Sequence, residues 1–145
     1  MKNIYRDDRH ETLVKRLAEQ PHPLLNGSLF PTIRELLCFA AVVGYAEGEK
    51  KALGKKTSEI PGRVFENSDT AQDIIFLLAL ADNKNPDILR NENESEAVSI
   101  FESYANGGLD VISRWIGEVP SDPYGDQAII AAMQKYGFFD VSDEE

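Results

Sequence analysis

Residues 32–45, TIRELLCFAAVVGY, decide the fold, because they carry the clearest helix signal in the chain. Thr32 can accept a hydrogen bond from the backbone amide three residues later while Glu35 reaches back, which is the pattern of a capping box. The residues that follow are apolar on almost every side of a helix, and such a helix has to be surrounded by others. The stretch therefore predicts a central helix that ends near Gly48, where the sequence becomes charged.

Five further helical segments are predicted around this one. The first covers about residues 8–19 and stops at the prolines of residues 21–23. Another begins at Ser68 or Asp69 and includes the apolar run 74–81. A helix over about residues 97–106 is predicted to close with a left-handed cap at Asn106-Gly107, and a separate helix follows over 109–116. The last helix is predicted to use Asp122 as its cap and Pro123 in its first turn.

These segments predict an all-α fold, a single irregular orthogonal bundle of about six helices that spans residues 1–145. No strong period-two strand and no internal repeat is present. Residues 49–68 are the least regular part and mix lysines and glycines with a few apolar anchors, so we expect an ordered basic loop with room for a short extended piece. Residues 140–145 are expected to form a frayed acidic tail.

Composition restricts the class of protein. The chain has 145 residues, of which 42% are hydrophobic and 28% are charged, which is typical of a globular domain. No apolar leader is visible, and the longest apolar runs are shorter than the roughly 20 residues of a membrane span, so we expect a cytoplasmic protein with no membrane contact. Cys38 is the only cysteine, which excludes an internal disulfide and a cysteine-based zinc site.

The net charge of −10 is unevenly distributed. Residues 1–66 hold 11 basic against 9 acidic residues, and residues 67–145 hold 4 against 16, so the halves carry +2 and −12, which sum to −10. The second half would repel phosphates, which argues against a protein that wraps on nucleic acid. A local basic patch in the first half remains compatible with this pattern, and so does an oppositely charged protein partner.

No complete catalytic set or metal site is predicted from the sequence. His10 has Asp7, Asp8 and Glu11 nearby, but no spacing typical of metal ligands, so a solvated first helical turn is favoured. The apolar neighbours of Cys38 favour a buried thiol over a nucleophile. We therefore expect no catalytic residue, no metal and no cofactor.

A metal-dependent nuclease is the least favoured alternative. Pro86-Asp87 has the start of a known nuclease pattern, but no Glu-x-Lys follows it. The Glu-x-Lys formed by Glu49 and Lys51 lies upstream, in the wrong order, and the strands that normally carry the pattern are not predicted.

The strongest candidate for a binding surface is the basic loop, in which five cations fall within fourteen residues: Lys50, Lys51, Lys55, Lys56 and Arg63. A phosphate backbone or an acidic protein surface could dock there. Four nearby acids (Glu47, Glu49, Glu59 and Glu66) nearly neutralise the loop, so a solvated loop is favoured over direct DNA binding.

Trp115, the only tryptophan, and its neighbour Arg114 form a second candidate contact. A buried tryptophan is the favoured interpretation, whereas an exposed one would mark a protein interface.

Four segments taken in order resemble a known family. They are residues 29–48, 60–67, 74–81 and 100–109. In this order and spacing they are similar to DNA phosphorothioation-associated protein 4, a family of small accessory proteins, over about residues 9–117. The family belongs with bacterial systems that place sulfur in the DNA backbone and restrict unmodified DNA. The resemblance therefore implies a role in defence against foreign DNA, and it brings no catalytic residue with it.

The leading hypothesis from the sequence is a non-enzymatic accessory protein that binds a larger protein component of such a system. The first alternative is a DNA-binding regulator that uses the basic loop, and the second is the nuclease.

Overall fold

The computed structural model of the protein describes residues 1–138, and the predicted acidic tail at 140–145 lies outside them. The helices in this range are α1 (Glu11–Ala18), α2 (Ile33–Ala46), α3 (Gly62–Glu66), α4 (Asp69–Asn83), α5 (Glu94–Gly117) and α6 (Asp126–Lys135). The strands are β1 (Ile4–Asp7), β2 (Pro21–His22), β3 (Gly27–Ser28) and β4 (Thr57–Ile60). Single 3₁₀ turns cover Asp8–His10, Pro86–Leu89 and Asn91–Asn93.

The fold is mostly helical but not purely all-α. It is 62% helical, and β1 pairs antiparallel with β4 while β2 pairs antiparallel with β3, in two separate two-stranded sheets. In the first sheet Ile4 lies opposite Ile60 and Asp7 opposite Thr57. The all-α prediction missed these strands because each has four residues or fewer, too few to show an alternating pattern.

Residues 49–68 are also more regular than a loop. The expected extended piece is β4, but the helix α3 was not predicted. Phe65 anchors α3, since its fully buried ring lies edge-on to Phe101 of α5, with ring centres 5.8 Å apart.

The capped starts of α2 and α4 confirm the predictions made from local sequence. The Thr32 hydroxyl accepts from the backbone amide of Glu35 at 3.4 Å and donates to the Glu35 carboxylate. The Ser68 hydroxyl accepts from the backbone amide of Ala71 at 3.1 Å. Both serve backbone donors that the helix itself leaves unpaired.

α5 is one continuous helix of 24 residues, so the two helices predicted on either side of Asn106-Gly107 are wrong. Residues 106–108 are buried in the middle of α5. A Cβ on Gly107 would lie 2.0 Å from the carbonyl oxygen of Glu49, and one on Gly108 would lie 1.7 Å from that of Ala40. Glycine is used here to let two backbones touch, and this contact outweighs its poor helix propensity of about 1 kcal/mol.

The centre of the fold is the crossing of α2 and α5. A Cβ on Gly44 of α2 would lie 2.1 Å from the carbonyl oxygen of Tyr104, so glycines on both helices face the other backbone. The two helices contribute many of the fully buried side chains, among them Leu36, Val43, Phe101 and Ile112. As predicted, α2 is a central helix.

α6 begins at Asp126, four residues later than the predicted cap at Asp122. The Asp122 carboxylate nevertheless serves this helix, because it accepts from the backbone amides of Tyr124 at 3.3 Å and Ala128 at 2.9 Å. The turn between them ends at Gly125, whose φ of +84° is a left-handed conformation suited to glycine. Across residues 1–138, no helix combines the length and apolarity that a bilayer crossing requires.

Candidate functional site

Two of the five cations predicted to form a binding surface are held by carboxylates of the acidic half of the chain. The Lys50 ammonium donates to both oxygens of Asp82 at 2.9 and 3.1 Å. The Lys51 ammonium donates to Asp110 at 2.7 Å. The basic segment after α2 is therefore tied to α4 and α5 by ion pairs.

Lys55, Lys56 and Arg63 behave differently. All three are exposed, and none forms an ion pair with a residue of the described range 1–138. All five cations are exposed, but the structure divides them into two lysines paired with carboxylates and three cations without such a pair in residues 1–138.

Asp82 holds Lys50 together with a tyrosine of α5. The Tyr104 hydroxyl donates to Asp82 at 2.6 Å, and the Lys50 ammonium lies 5.5 Å from the centre of the Tyr104 ring. This hydrogen bond and that of Lys50 lower the pKa of Asp82. Burial, aided by the neighbouring carboxylate, raises the pKa of Tyr104 to about 12, so the phenol keeps its proton at any physiological pH.

Asp110 is the centre of a second cluster. Its two oxygens accept from the Arg9 guanidinium at 2.5 and 3.0 Å, and one of them also accepts from Lys51. Burial alone would raise the pKa of Asp110, but the hydrogen bonds of Arg9 and Lys51 and the charge of Arg9 outweigh it and lower the pKa to about 2. Asp110 is therefore ionised and is held between two cations.

His10 and Asn106 form the buried core of this cluster. The Asn106 side-chain amide donates to the carbonyl oxygens of Lys51 and Ala52 at 3.2 and 3.1 Å. Its oxygen is therefore the acceptor that faces His10 Nε2 at 2.9 Å, which places the proton of the neutral ring on Nε2. Burial, and then the charge of Arg9, lowers the pKa of His10, so the ring is neutral near pH 7.

Asp7 completes the network at the end of β1. Its carboxylate accepts from the backbone amides of Arg9 and Gly54, each at 3.1 Å, and from Arg9 Nε at 3.3 Å. We call Asp7, Arg9, His10, Lys51, Asn106 and Asp110 the polar network. It joins the N-terminal segment, the chain after α2 and the middle of α5.

The side chains of the polar network are already occupied by hydrogen bonds to one another and to the backbone. Across the described residues, no buried side-chain nitrogen or oxygen lacks a hydrogen-bond partner. A cavity of about 230 Å³ lies beside it, lined by Arg9, His10, Thr12, Leu13, Arg16, Ser113 and Ile116. Within residues 1–138, no group of three His, Cys, Asp or Glu side chains could hold a metal ion.

The amino-acid sequence matches a known protein family over almost its whole length. The model of the family described as DNA sulphur modification system-associated protein 4 matches residues 3–143. The chain belongs to this family. The resemblance seen in the sequence is thereby confirmed, and the match covers the whole polar network. No curated protein and no solved structure matches the chain.

The two residues of the second predicted contact, Trp115 and Arg114, differ in their exposure. Trp115 is 3% exposed and packs against the rings of Tyr136 and Phe138, with centres 6.3 and 5.9 Å away. The buried alternative, favoured from the sequence, is the one found, so an interface role for Trp115 gains no support. Arg114 is exposed, with its guanidinium 3.9 Å from the Glu49 carboxylate. Cys38 is also buried, and burial raises its thiol pKa to about 12.

Sequence reasoning missed Asn106 and Asp110 as site residues of this family member, because Asn106-Gly107 was interpreted as a helix end. One signal could have found them. The apolar positions Phe101, Ala105, Leu109, Ile112 and Ile116 continue in helical phase through the glycines, which a real break would have disrupted.

Mild acid is expected to destabilise the protein through His10. Since the pKa of folded His10 lies below the ordinary 6.5, the unfolded chain binds more protons in the interval between the two values. The contribution of neutral His10 is fully present above about pH 6.5 and is lost as pH falls to the folded pKa. Urea unfolding should therefore lose free energy more steeply between pH 7.5 and about 5.5 in the wild type than in His10→Gln. Equal slopes would contradict this assignment.

Proposed function

We propose that the protein is an accessory subunit of a DNA sulphur modification system that binds a larger protein component and catalyses no reaction itself. Membership of a family described as associated with such a system supports the setting. The role in restricting unmodified DNA, implied by the resemblance, is part of the same proposal.

The internal pairing of Lys50 and Lys51 is the observation that carries this proposal. The basic cluster could locally offset the net charge of −10, but two of its five members already neutralise Asp82 and Asp110. DNA binding draws its free energy from cations that replace the counterions of phosphates, and a lysine bonded to a carboxylate contributes little to this exchange. A mainly acidic surface is better matched by a basic region of a protein.

The test is to express the tagged protein together with the proteins of its DNA sulphur modification system, one at a time, and to purify it at low and moderate salt. We expect one larger protein to be recovered in a fixed ratio at both salt concentrations. Failure to recover any of them, even at low salt, would overturn the proposal.

DNA binding is the second candidate function, and the exposure of Lys55, Lys56 and Arg63 favours it. Three cations that pair with no residue of the described part could contact phosphates. This function predicts binding to duplex DNA that weakens steeply with salt and is lost when the lysines are reversed.

Under the leading proposal, Lys55→Glu/Lys56→Glu should behave like the wild type towards duplex DNA in a gel-shift assay at low and moderate salt. The matched control is Lys15→Glu/Lys135→Glu, which makes the same change in net charge at exposed positions of α1 and α6. If only the Lys55→Glu/Lys56→Glu variant loses a salt-dependent binding to DNA that the wild type shows, DNA binding replaces protein binding as the proposed function.

A further inference from the structure

The β2–β3 hairpin is the most exposed apolar feature among the described residues. Every residue from 23 to 27, at its tip, is exposed. Leu24 is 87% and Leu25 is 48% accessible, the former the highest value for any large apolar residue in residues 1–138. Two leucines on a protruding turn add nothing to the core, so their exposure calls for a reason outside the fold of this chain.

The hairpin is held in one conformation by His22 at its base. His22 Nδ1 accepts from the Leu24 backbone amide at 3.1 Å, so its other nitrogen carries the proton and donates to Asp126 at 3.0 Å. The ring also packs on Tyr124, with centres 4.9 Å apart. A tip fixed in this way loses little conformational entropy when it binds, which is the advantage of a preorganised contact.

The hairpin lies within the longest uncharged stretch of the chain. Residues 20–33 contain no Asp, Glu, Lys or Arg, although 28% of all residues are charged. An uncharged tip is poorly suited to phosphates, and two leucines without nearby cations are too little for stable binding to a membrane surface. The stretch suits the apolar core of a protein interface, from which charged residues are typically depleted.

A surface hollow lies beside the projecting tip of the hairpin. It has a volume of about 470 Å³ and is lined by Leu25, Asn26, Gly27, Ser28, Leu29 and Pro31. Its mixture of apolar side chains and backbone groups can accept an aliphatic side chain of a partner. Leu24 and the residues that line this hollow belong to the same short segment, residues 24–31.

We propose that the β2–β3 hairpin docks into a concave, uncharged apolar groove on the larger protein that this accessory subunit binds. This inference rests on the proposed function. A second copy of the chain fits less well, because two convex tips that meet would bury far less than the roughly 800 Å² per side of a stable interface. A groove can surround Leu24 and Leu25, and an aliphatic side chain at its edge can enter the hollow.

The test compares Leu24→Gln/Leu25→Gln with Leu77→Gln/Ile130→Gln for binding to the co-purifying protein. Leu77 and Ile130 are 64% and 50% accessible and lie on α4 and α6, so the control removes similar apolar surface elsewhere. The hairpin variant should bind roughly 100-fold more weakly, since buried anchors dominate interface energies. The control should bind within about two-fold of the wild type, because exposed positions outside the interface contribute little.

Several results would overturn the inference. If the wild type binds the larger protein and the hairpin variant binds equally well, the hairpin is not the docking element while the proposed function stands. If the wild type binds no protein of the system, both fail. Concentration-dependent self-association, or binding to lipid vesicles, that is lost only in the hairpin variant would assign the tip to a second copy or to a membrane. Urea unfolding of Leu24→Gln/Leu25→Gln, expected to match the wild type because both side chains are exposed, ensures that weaker binding is not a folding defect.

Discussion

Gly108→Ala is expected to destabilise the protein by more than about 3 kcal/mol, although alanine is the better helix former. The added methyl group would lie 1.7 Å from the Ala40 carbonyl oxygen and 2.5 Å from its carbon. Both are backbone atoms of α2, so no side-chain rotation relieves the clash and the helices have to separate. Separation opens the packing around many fully buried side chains at once, which makes this a severe case of overpacking. The urea midpoint should fall by about 1–2 M.

The matched control is Gly117→Ala in the last turn of the same helix. A Cβ at Gly117 meets no atom within 4 Å, so only helix propensity and unfolded-state entropy change. Stability should stay equal or rise by up to about 1 kcal/mol. Similar losses in the two variants would mean that the clash with Ala40 is not the cause, and that α2 and α5 do not cross with touching backbones.

Asn106→Ala is expected to cost about 3 kcal/mol of stability. The change removes three hydrogen bonds at a side chain that is 2% exposed, and it leaves the Lys51 and Ala52 carbonyls and His10 Nε2 without this partner. Each buried polar group left unpaired costs about 1–3 kcal/mol, partly recovered where water enters. The segment 50–54 should also exchange its backbone amide hydrogens faster, since Asn106 is one of the groups that pin it.

Ser103→Ala is the control for this variant, one turn earlier in α5. The Ser103 hydroxyl donates to the Ser99 carbonyl of the same helix at 3.0 Å and connects no other segment. Its loss should change stability by less than about 0.5 kcal/mol. If Asn106→Ala were as mild as Ser103→Ala, the hydrogen bonds of Asn106 would not be what holds the segment 50–54 in place.

Ion pairs join the first half of the chain to its acidic second half. Opposite charges of the two halves partly neutralise each other in the folded protein. Arg9, Lys50 and Lys51 of the first half form ion pairs with Asp82 and Asp110 of the second. Ion pairs of this kind contribute modestly to stability where they are exposed. Their consequence for function is larger, since they leave only part of the basic cluster available to a ligand.

The sequence alone determined the features whose causes lie within one helical turn. The caps at Thr32 and Ser68 and the central position of α2 were predictable, because capping bonds and apolar periodicity join residues three or four positions apart. The family was predictable for a different reason, namely the resemblance of several segments, in their order and spacing, to a known family. The exposed cations Lys55, Lys56 and Arg63 were also identified, although what they bind stays a prediction.

Only the tertiary structure decided the course of α5 and the composition of the polar network. Asn106-Gly107-Gly108 has the local pattern of a helix end, and it continues as helix because α2 approaches too closely for any side chain. Lys50 and Asp82 are 32 positions apart, Lys51 and Asp110 are 59 apart, and His10 and Asn106 are 96 apart. Such contacts depend on how whole helices pack, and no local pattern in a single sequence encodes that choice.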